Sequence, residues 1–267
     1  MLIIVLGVLV GLLLGLTGAG GGILAIPALT LGLGWSLVEA TPVALLAVGI
    51  AAAVGALDGL RKGLVRYKAA GLMASAGWLA SPLGLHLAKL LPGSALMAMF
   101  GCVMVFVSGR MFMQARPECR HAVEAAHDKN CRVNPSTGRL EWDAKCSTTL
   151  ASIGAVSGLL TGLLGVGGGF LIVPAFRKFS DVPMHGIVAT SLMVVALVSL
   201  GTVGHLLYQG FSLSGEAVLF IGATLGGMIA GRVIAPKVSE RLLQQGFAVL
   251  CAVVSVMMIG KVLMTVF

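Results

Sequence analysis

Apolar residues in this chain come in long blocks, without the short alternation of strands or the narrow stripe of a surface helix. Residues 2–34, 40–57, 70–88 and 94–112 form four blocks, and about 147–176, 186–207, 215–234 and 242–266 form four more. A helix needs about 20 apolar residues to cross the hydrocarbon core, so most blocks predict one transmembrane helix each. The opening block breaks that rule. Its 33 residues exceed one span, and GLTGAGGG (15–22) and then Pro27 interrupt them. Glycine and proline break helices. They divide the block into arms of about 16 and 11 residues, roughly 24 and 16 Å long at the rise of an α-helix. The second arm is too short to cross, and the lengths predict a re-entrant hairpin that reaches mid-membrane and returns.

The interrupted stretch occurs twice. GLLLGLTGAGGGILAIPA (11–28) and GLLTGLLGVGGGFLIVPA (158–175) share 12 of 18 positions at an offset of 147. Gly7, Gly11 and Gly15 map onto Gly154, Gly158 and Gly162, and Phe100 maps onto Phe247. The chain therefore reads as two membrane repeats, 1–113 and 148–267, joined by a polar linker, 114–147. Internal duplication of this kind marks many secondary transporters.

Composition agrees with a bilayer. Hydrophobic residues make up 58% of the chain, charged residues 10%, and mean hydropathy is +1.03. No soluble domain of 267 residues could cover that much apolar surface. The net charge of +8 does not indicate nucleic acid, because the basic residues fill gaps between apolar blocks, where charge sets topology. No Lys or Arg precedes the first block, and its lookalike lies deep inside the chain, so the segment reads as structural and not as a signal peptide.

Charge also chooses between topologies. If both opening blocks are hairpins, the copies are inverted, and the loops at 58–68, 110–146, 177–185 and 232–241 share one side. That side then holds 16 of the 18 Lys and Arg residues, all but Lys89 and Lys261. Full crossings would make the copies parallel and reduce the split to 12 against 6. The positive-inside rule prefers the hairpins. The expected fold is an all-α integral membrane protein with two inverted repeats, each a re-entrant helical hairpin plus three transmembrane helices. Its termini are expected in the periplasm and its basic loops in the cytoplasm of a cell with an inner membrane.

Gly20, Gly21 and Gly22 lead into one second arm, and Gly167, Gly168 and Gly169 into the other. A helix N-terminus presents unpaired N–H donors and a partial positive charge, so it attracts anions. Two such ends meeting in the membrane make a site for a small anion without a buried cation. Gly7, Gly11, Gly15, Gly154, Gly158 and Gly162, by contrast, have the spacing of a helix-packing face. Thr17, Thr41, Thr161, Thr190 and Ser191 offer hydroxyls near the turns. Asp58 and His205, equivalent at the offset, are candidates for proton coupling. In the linker, Cys119, His121, His127 and Cys131 lack paired zinc spacing and are weak metal candidates, and a cytoplasmic linker would keep Cys131 and Cys146 reduced. No cofactor motif and no nucleophile with its base is evident, so the chain does not read as an enzyme.

At GLTGAGGG with its trailing IP, GLLGVGGGFLIVPAF, IVATSLMVVALVS (187–199) and NPSTGRLEW (134–142), the chain resembles the sulfite exporter TauE/SafE family, also called the toluene sulfonate uptake permease family. The similarity covers essentially the whole chain, although Thr41-Pro42 stands against Thr190-Ser191 in the second copy. The resemblance implies secondary transport of sulfite, an organosulfonate or a related small organic anion. Export across the inner membrane by alternating access is the expectation; an anion channel, or an importer of small carboxylates or sulfonates, is the alternative. Expected partners are the small anion, the lipid bilayer and protons as a coupling ion.

Overall fold

In a computed structural model describing residues 1–18, 21–114, 130–131, 142–208, 214–235 and 240–266, the opening block breaks where its glycines fall. Helix α1 (Leu2–Thr17) ends at Gly18, whose φ of 80° belongs to the left-handed region. The chain resumes in α2 (Gly21–Gly32), which begins as a 3-10 turn over Gly21–Leu24 and loosens into π geometry over Ala28–Gly32. Pro27 stands at the change of pitch, where its missing N–H already interrupts the ladder. α2 runs back along α1, because Gly21 lies against Leu13 and Leu14 while Gly32 lies against Leu6.

Ser36 caps α3 (Leu37–Arg61) in a reciprocal capping box with Glu39. α4 (Tyr67–Leu90) and α5 (Gly93–Gln114) follow. Asp143 caps α6 (Ala144–Leu164), after which Gly165 turns left-handed with a φ of 69° and the chain doubles back as α7 (Gly169–Phe179). α8 (Met184–Tyr208), α9 (Gly215–Ile234) and α10 (Glu240–Val266) complete the chain. α3 and α8 are displaced by the repeat offset of 147 at both ends.

Among the described residues, four helices are long and apolar enough to cross a membrane: α3, α6, α8 and α9. The 21 residues of α6 were expected to form only the first arm of a hairpin. They suffice to cross, yet the chain still folds back after them. The hairpin tips also lie beyond the midpoints of α3 and α8. Gly18 abuts Val188, near the start of α8, and Gly165 abuts Thr41, near the start of α3. The first arms thus run most of the way through the bundle before the chain returns.

The closest helix pairs join one copy to the other: α1 with α9, α4 with α6, α3 with α8, and α5 with α10. Small residues make this possible. A methyl group on Gly7 would stand 2.8 Å from Ala223 Cβ, and one on Gly15 would stand 2.9 Å from Arg232 N. In the equivalent seam Gly154 faces the Met73 backbone, Gly158 faces Gly77, and a methyl on Gly162 would stand 2.9 Å from Leu85 N. In lipid, where no hydrophobic force draws helices together, such close backbone approach supplies the packing. α3 and α8 run antiparallel, Gly49 meeting Ser199 and Gly59 meeting Ala189. α5 and α10 do likewise, with Gly101 at Ile259 and Ser108 Oγ donating to the Ala248 carbonyl. Large apolar side chains on the perimeter, such as Leu79 at 72% exposed, form a lipid-facing surface.

Basic loops gather at one end. Arg232 on α9 reaches Asp58 on α3, the Arg66 N–H donates to Thr190 Oγ1, and Cys131 pairs its backbone with Phe179 and Asp181. At the other end Lys261 Nζ donates to the Thr30 carbonyl.

Candidate functional site

The two glycine turns meet halfway along α3. A methyl on Gly22 would lie 2.9 Å from Val48 Cγ1 and 3.3 Å from the Val166 carbonyl oxygen. One on Gly167 would lie 3.4 Å from the same Val48 Cγ1 and 3.2 Å from Val195 Cγ1. Val48 and Val195 are themselves equivalent at the offset of 147 and sit mid-helix in α3 and α8. The turns therefore approach from opposite ends of the bundle and touch through a pair of related valines.

Left-handed backbone makes the second turn possible. Gly167 and Gly168 have φ of 73° and 58°, a region that side-chain-bearing residues avoid. The first bonds of α7 run from Leu171 N–H and Ile172 N–H to the Gly168 carbonyl, so the N–H groups of Gly168, Gly169 and Phe170 lie ahead of the helical ladder. Arg177 and Lys178 in the last turn complement the helix dipole at its far end. Gly21 and Gly22 open the first-copy arm in a tighter 3-10 turn and are buried. Gly20 lies outside the described residues.

The hydroxyl candidates divide differently. Thr17 donates to the Leu13 carbonyl at 2.7 Å, Thr41 to Leu37 at 2.8 Å, Thr190 to Gly186 at 2.6 Å, and Ser191 to Val188 at 2.9 Å. Thr161 does the same with Ser157. A hydroxyl has one proton. Each of these spends it on its own helix, and Thr190 also accepts the Arg66 N–H, which pins the basic loop to α8. Thr41 is not the counterpart of Thr190. At the strict offset it matches Val188, and the two flank the corresponding tips at Gly165 and Gly18.

Sequence reasoning passed over Ser199. It is fully buried, and its Oγ is the only hydroxyl oxygen among the described residues that is both buried and without a hydrogen-bond partner. That oxygen stands 3.2 Å from where a methyl on Gly167 would be. One signal was available: at the offset of 147, Ser199 faces Ala52, so the copies differ in polarity at this position.

Asp58 and His205 are not brought together. Asp58 Oδ2 pairs with Lys62 Nζ at 2.9 Å and Arg232 Nη2 at 3.1 Å at the basic end of the bundle. His205 falls in the last turn of the antiparallel α8, at the opposite end, with its side chain outside the described residues. The linker expectation changes as well. Cys131 and Cys146 form a disulfide, with Cα atoms 4.9 Å apart, so Cys131 is neither a reduced thiol nor an available metal donor. The cause is local: pairing of Cys131 with Phe179 and Asp181 sets it beside the first turn of α6. Cys119, His121 and His127 lie outside the described residues, and no cluster of three metal-binding side chains occurs among those described. A separate cavity of about 570 Å³ opens between α4 and α8, lined by Ser75, Trp78, Ser81, Leu85 and Thr202. Ser81 and Thr202 satisfy each other at 2.7 Å, and Trp78 is 58% exposed on the perimeter.

Residues 3–258 match the profile of the sulfite exporter TauE/SafE family. The chain belongs to that family. A probable membrane transporter protein of Xylella fastidiosa is 29% identical over 261 residues, covering 96% of this chain and 93% of that protein. The probable membrane transporter protein YunE of Bacillus subtilis is 28% identical over 247 residues, 87% of each chain. No solved structure matches. This TauE/SafE member is a multi-pass membrane transporter, and a transporter is not an enzyme.

Proposed function

We propose that the transporter is a secondary carrier that exports a small anion, such as sulfite, an organosulfonate or a related organic anion, across the inner membrane. The observation that carries this reading is the meeting of Gly22 and Gly167, one from each glycine turn, at Val48, mid-helix in α3. There, N–H groups ahead of the second arms offer an anion hydrogen bonds in a medium with no competing water. Antiparallel packing of α3 on α8 and of α5 on α10 supports two inverted copies. Rocking one copy against the other would expose the shared site alternately to each side. Thr17, Thr41, Thr190 and Ser191 then shape the turns.

The test is flux into vesicles holding the purified full chain, using labelled sulfite, methanesulfonate and acetate with and without a pH gradient. Saturable flux that is accelerated by unlabelled anion on the far side supports a carrier, and unsaturable flux identifies a channel. Gly22→Leu, which drives a side chain into Val48, should abolish transport in folded protein. If protons are the coupling ion through Asp58 or His205, Asp58→Asn or His205→Ala should flatten the pH dependence.

A further inference from the structure

Buried Ser and Thr residues in helices ordinarily return their proton to a carbonyl three or four residues back. Thr17, Thr30, Thr41, Thr161, Thr190, Thr202 and Thr224 all do so here. Ser199 does not, although it lies on the same kind of helix and is fully buried. Its hydroxyl oxygen makes no bond to its own backbone and faces Gly167, where the second turn packs on α3 and α8. A donor left unpaired in a dry interior is costly, and such groups persist where something else completes them.

We propose that Ser199 is a substrate-binding residue, donating its proton to an oxygen of the transported anion. The proposal rests on the anion site between the glycine turns and narrows its ligand. Backbone turns stand on two sides, Gly22 on one and Gly167 with Ser199 on the other, and the N–H groups of both turns are the donors that the anion site calls for. An oxyanion, with several acceptor oxygens fixed at angles to one another, can engage both sides at once. A halide has no such directions. Ala52 occupies the equivalent place in the first copy, so the hydroxyl comes from the second copy alone and gives the site a polar and an apolar flank. That asymmetry orients an anion carrying a charged oxygen head and an apolar remainder, as in a sulfonate or carboxylate. Bare sulfite would be bound by its oxygens alone.

Thermal stabilisation of the purified full chain in detergent, titrated with sulfite, methanesulfonate, acetate and chloride, reads binding without requiring transport. At least one oxyanion should raise the melting temperature dose-dependently, and chloride should not. Ser199→Ala should raise the half-maximal concentration about tenfold or more, the worth of one hydrogen bond to a charged group. Ser199→Thr, which keeps the hydroxyl, should stay within about twofold of the parent on the same arithmetic. A Ser199→Ala protein that titrates like the parent overturns the proposal. If none of the three oxyanions stabilises the parent, both the proposal and the site fall. Loss of binding in Ser199→Ala with full binding in Gly22→Ala keeps Ser199 and removes the glycine turns as its partners.

Discussion

Gly168 carries two constraints at once. Its φ of 58° disfavours any side chain, and a methyl there would meet Ser157 and stand 2.9 Å from Thr161 Oγ1. Gly168→Ala should therefore lower stability by about 1–3 kcal/mol, the range for a residue forced into a sparse backbone region. Gly226→Ala is the control: nothing lies within 4 Å of that position, and the change should stay within about 0.5 kcal/mol. Thermal unfolding of the two variants side by side makes the comparison. Residue types near the turns were legible from sequence, but the disposition of their protons was not. Thr17, Thr41, Thr190 and Ser191 read as donors, and each is already bonded to its own helix. Whether a hydroxyl is free depends on a rotamer set by neighbours on other helices, and no local pattern encodes that.

Breaks and seams belong to the scale of the element. Glycine and proline placed the break in the opening block, and the first arm has the 16 residues that its spacing implied. The length of α6 was less legible. Its apolar block begins near residue 147, yet the helix starts at Ala144, because an Asp143 cap and not hydropathy decides where the backbone ladder begins. Gly154, Gly158 and Gly162 were read as a packing face, and they lie against α4. Gly158 meets the backbone of Gly77 directly, so Gly158→Ala must push the two helices apart. A loss of about 1–3 kcal/mol is expected, as for other overpacked contacts. Gly71→Ala, on the same α4 but with nothing within 4 Å, should show none.

For the whole molecule, the duplicated sequence and the distribution of charge carry the argument. The basic loops meet at one end of the bundle, tied by Arg232 to Asp58 and by Arg66 to Thr190. With 16 of 18 basic residues assigned to that side, the positive-inside rule makes the cytoplasm its expected location. Cys131 and Cys146 are disulfide-bonded at the same end, whereas cytosolic thiols are ordinarily kept reduced, so if that end faces the cytoplasm the bond should be open in growing cells. Alkylation of intact cells before lysis, read as a mass shift on both cysteines, checks this. A pair already oxidised in cells would turn the protein over in the membrane.

The sequence by itself determined that this chain lives in a bilayer, that it is two related halves, and where each half breaks. Those properties follow from hydropathy, repeat and backbone-breaking residues, all local in the chain. Only the tertiary structure decided that the halves interleave, with α1 on α9 and α6 on α4, and that their turns share Val48. It also decided that Asp58 pairs with Arg232 and that, among the buried hydroxyls of the described residues, only that of Ser199 is left without a partner. Contacts between helices more than a hundred residues apart are fixed by mutual packing, which no window of sequence contains.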